Sequence, residues 1–165
     1  MQKILVSRCL LGHHVRYDGG AHGPYSLLQQ WQAEGRVIAL CPEVAGGLPT
    51  PRDPAEIPSG QGAQVLDGLL PVLTVTGNDV TAAFVSGAQQ ALALVREHGI
   101  RVALLKARSP SCGNHETYDG SFSGTRVAGE GVAAAALRRE GVQVFNENEL
   151  GALENVLRLL DSVKS

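Results

Sequence analysis

Three times in this chain a glycine ends a helix-forming stretch and passes without a gap into an aliphatic run: Gly35 opens GRVIAL, Gly99 opens GIRVALL and Gly141 opens GVQVF. A glycine after a helix supplies the left-handed residue that closes it. The three helix-to-strand connections therefore have almost no length. The connections that lead from strand to helix are the opposite, roughly 16 to 25 residues, a length that in compact domains marks functional loops. Strands that alternate with helices in this way pack as a parallel sheet covered on both faces. The chain is expected to be α/β, a single-domain Rossmann-like three-layer sandwich over residues 1–165, with a mostly parallel sheet of four to five strands.

Residues 2–7, 36–40, 100–106 and 142–145 are the expected buried strands. A helix opens at Pro24 and turns Leu27, Leu28 and Trp31 to one side. A longer one, capped by Asn78 or Asp79, places Val80, Phe84, Gly87, Ala88, Ala91 and Val95 at helical spacing. An Ala-rich helix is expected over residues 127–140. The last helix, capped by Asn146, shows Leu150, Leu153, Leu157 and Leu160 on one face. Residues 41–63 hold five of the eight prolines and cannot stay regular for long. Residues 64–76 alternate around Asp67-Gly68, which reads as a hairpin, and residues 107–126 read as loop.

The net charge of −2, the 18% charged content and the absence of any Lys/Arg cluster exclude a protein that coats nucleic acid. No apolar run approaches the ~18 residues of a membrane span. The N-terminal stretch is too short and too soon interrupted for a signal peptide. A cytoplasmic protein acting on a small molecule, with no nucleic-acid or membrane partner, is the expectation. Oligomeric state is left open.

In sheets of this kind ligands bind beyond the carboxyl ends of the strands. All three cysteines sit there. Cys9 follows the first strand in VSRCLLG, Cys41 follows the second in IALCPEVAGG, and Cys112 follows the third in LLKARSPSCG. Three thiols cannot all pair, and in a reducing compartment they more often bind metal or do chemistry. Three soft sulfur ligands suit zinc with an open position, or an iron–sulfur cluster in which one iron lacks a protein ligand. No CxH or HxxH arrangement accompanies them, which weighs against a zinc hydrolase.

Glu43, behind Pro42 and two residues from Cys41, is a candidate general acid or base. Ser109 and Ser111 flank Pro110 just before Cys112 and suit either turn chemistry or a contact with substrate. VRYDGG, with Asp18, is echoed by TYDGSFSG at residues 117–124. Both read as Asp-Gly turns, and Asp18 is a candidate for touching substrate or supporting the ligands. His13, His14, His22 and His115 lie on the same loops without a pattern.

Together, VSRCLLG, VRYDGG, LCPEVAGGLPTPR, PAEI, LLKARSPSCG and YDGSFSG resemble the thiouracil desulfidase family, in order, over residues 4–131. The resemblance implies removal of sulfur from a thiolated uracil, giving uracil and sulfide without net redox change. It implies a [4Fe-4S] cluster on Cys9, Cys41 and Cys112, with the remaining iron open to the substrate sulfur. It further implies Glu43 as the proton-transfer residue and a serine of RSPSC, Ser109 by preference, as its partner. A Cys₃ zinc hydrolase and a non-catalytic iron–sulfur sensor are the alternatives.

Overall fold

The structure, a computed structural model, describes residues 1–12, 17–18 and 25–163. The chain begins with β1 (Ile4–Ser7), which turns into a 3-10 helix, Arg8–Leu11. Next come α1 (Ser26–Ala33), β2 (Val37–Leu40) and the single turn α2 (Pro42–Ala45). The proline-rich stretch holds only β3 (Ala55–Glu56) and a 3-10 turn, Pro58–Gly60, before α3 (Gly62–Leu66) and β4 (Leu73–Thr74). The second half runs α4 (Thr81–His98), β5 (Val102–Leu104), β6 (Glu116–Tyr118), β7 (Arg126–Ala128), α5 (Val132–Arg139), β8 (Gln143–Phe145) and α6 (Leu150–Val163).

β2, β1, β5 and β8 form one four-stranded sheet in that order, and every pairing in it is parallel. The expected three layers are present. Successive residues of a strand face opposite ways, and the core divides accordingly. Ile4, Val6, Val102 and Leu104 pack with Leu28 and Trp31 of α1 and Leu153 and Leu157 of α6. Leu5, Ala103 and Val144 pack on the other face with Ala91 and Val95 of α4 and Ala134 and Leu137 of α5. A third cluster around Phe84, Val65 and Ile57 joins α3 and the proline-rich segment to α4 and α5. Gly35, Gly99 and Gly141, the glycines that lead into strands, have φ of 74°, 62° and 86°, the left-handed geometry their position requires.

Chain order along the sheet reverses at β1, which has β2 on one side and β5 on the other. That is the topological switch where α/β sheets bind ligands. Cys9 lies directly beyond β1 and packs in the α1/α6 layer, whereas Cys112, beyond β5, packs in the α4/α5 layer. The two thiols thus straddle the carboxyl edge of the sheet, with Cys41 beyond β2.

Several local expectations are corrected. Residues 64–76 are no hairpin: the first part is α3, and Asp67-Gly68 ends it, with Gly68 at φ 76°. β4 pairs instead with β3, antiparallel. Residues 107–126 are not all loop, because β6 and β7 form an antiparallel pair around the YDGSFSG turn. α5 starts at Val132, since β7 occupies the residues before it. α4 starts at Thr81, and the Asp79 carboxylate accepts the Thr81 amide at 2.9 Å. α6 begins at Leu150, because Asn146 closes a separate turn by accepting the Asn148 amide on its side chain at 2.9 Å. α1 begins at Ser26, and the expected start at Pro24 lies outside the described residues.

Candidate active site

The carboxyl edge of the sheet opens into a cleft of about 630 Å³, and Cys9, Cys41 and Cys112 all line it. All three are thiols, with Cys9 and Cys112 buried and Cys41 partly so. Each is held by a different local device. Cys9 sits in the 3-10 turn that ends β1, closed by Gly12 at φ 86°. Cys41 is the extended residue before α2, whose Pro42 stands at the first helical position, where a proline costs no hydrogen bond.

Cys112 is fixed through the backbone of its loop. The first amides of α5 turn back onto it: Val132 N–H donates to Pro110, Ala133 N–H to Ser111, and Gly131 N–H to Gly113, each at 2.8 Å. The approach is so close that a Cβ on Gly131 would strike the Ser111 backbone. Gly87 of α4 packs in the same way on the Pro42 carbonyl, and Gly46 on that of Ala83, which locks the single turn of α2 against α4. Glu43 owes its place to that contact.

The side chains on the cleft wall form one hydrogen-bonded set. Ser7 donates to Cys112 Sγ at 3.4 Å while accepting the Lys106 amide at 3.0 Å. Ser111 Oγ lies 3.1 Å from Oε2 of Glu43 and 3.5 Å from Cys112 Sγ. Having one proton, the hydroxyl donates to one of these at a time. Ser109 Oγ accepts the amides of Ser111 and Cys112 at 3.0 and 3.1 Å and lies 3.0 Å from Ser111 Oγ. The line Ser109–Ser111–Glu43 is therefore continuous, with Ser111 the serine that touches the carboxylate. The other oxygen of Glu43 accepts Arg52 Nε at 3.2 Å, and both side chains are largely buried.

Burial pushes the Cys112 thiol up to about 12; the hydroxyls of Ser111 and Ser7 pull the other way, while the neighbouring Cys41 and Cys9 add to the rise. Thiols that raise one another's pKa are close enough to share one bound group. Yet among the described residues no three His, Cys, Asp or Glu side chains converge tightly enough to hold a single metal ion. Thiols that line one cleft without meeting at one point fit a polynuclear iron–sulfur cluster better than one zinc ion, and Ser7 and Ser111 supply the hydrogen bonds to sulfur such clusters use. Lys106 is anchored on the wall by Glu147 at 2.8 Å. Burial pushes the Glu147 carboxyl up, but bonds from Lys106 and the Ala107 amide outweigh it and hold the group below its ordinary value.

Three aromatic rings, Tyr17, Tyr118 and Phe122, line the same cleft. They come from the two YDG segments. Glu56 holds the second by accepting the amides of Gly120 and Phe122 at 2.9 and 3.2 Å. Asp18 is exposed in a turn and does not line the cleft, although Tyr17 beside it does. His115 pairs with Glu149 at 3.1 Å, outside the cleft lining. His13, His14 and His22 lie outside the described residues. Arg52 and the three rings had not been singled out in the sequence. The signal for the rings was present: only seven Phe, Trp and Tyr residues exist, and two lie in the repeated YDG strings.

Residues 4–149 match the family described as 2-thiouracil desulfurase. The protein YbbK of Bacillus subtilis (strain 168), described as uncharacterized, is 43% identical over 147 residues, 89% of this chain and 97% of that protein. The solved structure of a [4Fe-4S]-dependent thiouracil desulfidase, TudS, superposes with a TM-score of 0.87 at 51% identity, covering 96% of this chain and 99% of that one.

Proposed function

Because this chain belongs to the 2-thiouracil desulfurase family, we propose that it is a [4Fe-4S]-dependent thiouracil desulfidase, converting a thiolated uracil to uracil and sulfide. The observation that carries the reading is the meeting of three thiols with the Glu43–Ser111 pair on one cleft. Cys9, Cys41 and Cys112 would hold the cluster. When bound, it supplies a Lewis-acidic iron without a protein ligand, to which the soft thione sulfur has affinity.

The chain's own residues do the rest. Tyr17, Tyr118 and Phe122 offer faces against which a flat pyrimidine stacks, and they exclude water from all but the reacting edge. A water attacks the carbon that bears sulfur. Its oxygen becomes the new carbonyl, the C–S bond breaks, and the sulfur leaves as sulfide with both electrons of that bond, so no oxidant is required. Glu43 takes the proton of the attacking water at its Oε2 edge. Ser111, donating to that oxygen in the resting site, yields its place or passes the proton on to Ser109. The role assigned to Ser109 is thus exercised through Ser111.

We read residues 1–165 as one catalytic domain acting on a small-molecule base rather than on nucleic acid. Among the described residues no helix is long and apolar enough to cross a membrane. A cytoplasmic setting is proposed because thiols awaiting a cluster persist in a reducing compartment. The test is anaerobic reconstitution with iron and sulfide, followed by assay of uracil and sulfide from 2-thiouracil. A loaded protein that releases neither product overturns the reading. Activity after zinc loading alone would put the Cys₃ zinc enzyme in its place.

A further inference from the structure

Arg52 is a cation almost withdrawn from water: its side chain is 6% exposed, against a carboxylate that is 14% exposed. Burying a guanidinium beside one carboxylate seldom improves stability, since desolvation offsets the attraction. Its donors are nevertheless spread over several points of the proline-rich loop and beyond. Nε donates to Oε1 of Glu43 at 3.2 Å, Nη1 to the Pro49 carbonyl and the Thr50 hydroxyl at 3.1 Å each, and the backbone amide to the Tyr17 carbonyl at 2.7 Å. Glu43 is consequently gripped at both oxygens, Oε1 by Arg52 and Oε2 by Ser111. Only the Oε2 side adjoins a group that can pass a proton.

We propose that Arg52 is a positioning residue for desulfuration, fixing the plane of the Glu43 carboxylate and tying it through the Arg52 amide to Tyr17. This rests on the reading of Glu43 as the proton-transfer group. Without the Nε bond the carboxylate turns about its terminal C–C bond, and Oε2 no longer faces the reacting carbon for most of the time. Lysine cannot replace arginine here. Its ammonium could meet Glu43, but it lacks the planar fork that reaches Pro49 and Thr50 at the same moment. The link to Tyr17 adds a second property: the ring that borders the substrate and the carboxylate that acts on it move as one body.

The test uses cluster-loaded protein and the variants Arg52→Lys, Arg52→Ala and Glu43→Gln, with iron content and visible spectrum recorded beside kcat and KM for 2-thiouracil. Both Arg52 variants should keep parental iron and spectrum, hold KM within about threefold and lose about 100-fold in kcat, the usual cost of a misplaced catalytic group. Added guanidinium should restore about tenfold of the loss in Arg52→Ala, as a re-formed charge-assisted bond would, and ammonium should not. Parental kcat in either variant, loss of iron together with kcat, or no rescue by guanidinium overturns the proposal. Should Arg52→Ala fail to fold, Arg52→Lys alone decides, with a kcat within about threefold of the parent sinking the idea. If Glu43→Gln turns over at the parental rate, the proton-transfer reading fails and takes this proposal with it. If Glu43→Gln is inactive while the Arg52 variants are unimpaired, only the present proposal fails.

Discussion

The hydroxyl of Ser7 donates to Cys112 Sγ at 3.4 Å across 105 positions of sequence, and the same oxygen accepts the Lys106 amide at 3.0 Å. One small side chain therefore fixes the ends of two adjacent strands and orients a sulfur between them. Ser7→Ala should leave the fold intact but weaken the thiolate. We expect the loaded variant to lose iron to a chelator several times faster than the parent, for the loss of roughly 1 kcal/mol of hydrogen bonding. Equal chelation rates would remove Ser7 from any part in holding the group.

Glu43→Gln should bind the cluster normally and lose at least about 100-fold in turnover, the scale of a general-base contribution. Ser111→Ala should follow it with a smaller loss, because the serine touches the carboxylate without replacing it. Ser109→Ala removes the acceptor of two loop amides, so it should also lower thermal stability. A Ser109 variant with full activity would end its claim to the site.

In the apo chain the Cys112 thiol, held up to about 12, should be the last of the three to react with iodoacetamide at neutral pH. Its folded-state value lies above the ordinary 9.0, so the folded chain keeps that proton more firmly than the unfolded one. The resulting stability is complete below pH 9.0 and is lost as pH climbs towards 12. Melting temperature measured across that window should fall in the apo protein, and Cys112→Ala should lack this component of the fall. Cys112 alkylated as fast as Cys41 would contradict the burial account.

Gly131→Ala would set a methyl group against the backbone of Ser111. Overpacking of this kind costs about 1–3 kcal/mol. Because the strain falls on the loop bearing Cys112, cluster retention should suffer more than the melting temperature of the apo chain indicates. A variant matching the parent in both would show that α5 does not hold the loop.

Phe122→Ala should raise KM for 2-thiouracil about 10-fold while sparing kcat, the loss of one stacking contact. An unchanged KM would place the base elsewhere in the cleft.

Much of this was legible in the residues. Glycines leading directly into aliphatic runs dictated the parallel sheet, and the position of each cysteine just past a strand put the thiols on one edge. Glu43 was legible because Pro42 leaves it little room to be anywhere but beside Cys41. Asp67-Gly68 misled because a helix end needs the same left-handed residue as a tight turn, and only the burial of Val65 against the third core cluster distinguishes them. The choice between Ser109 and Ser111 turns on which way two hydroxyls point on either side of one proline, which residue type does not encode. Arg52 was missed for a related reason. Its partner lies nine positions away across a proline-rich bend, and nothing in the string LPTPR announces that the bend folds inward.

The single turn of α2 is too short to hold its own shape, and it keeps it by leaning on Gly87 and Ala83 of α4. A helix with no residue in the cleft lining thereby acts as the jig for the carboxylate. In a screen of random variants scored by sulfide release, hits should cluster along that remote rod, at Gly87 above all. They would come from soluble, iron-loaded, well-melting proteins whose tool has been set down in the wrong place.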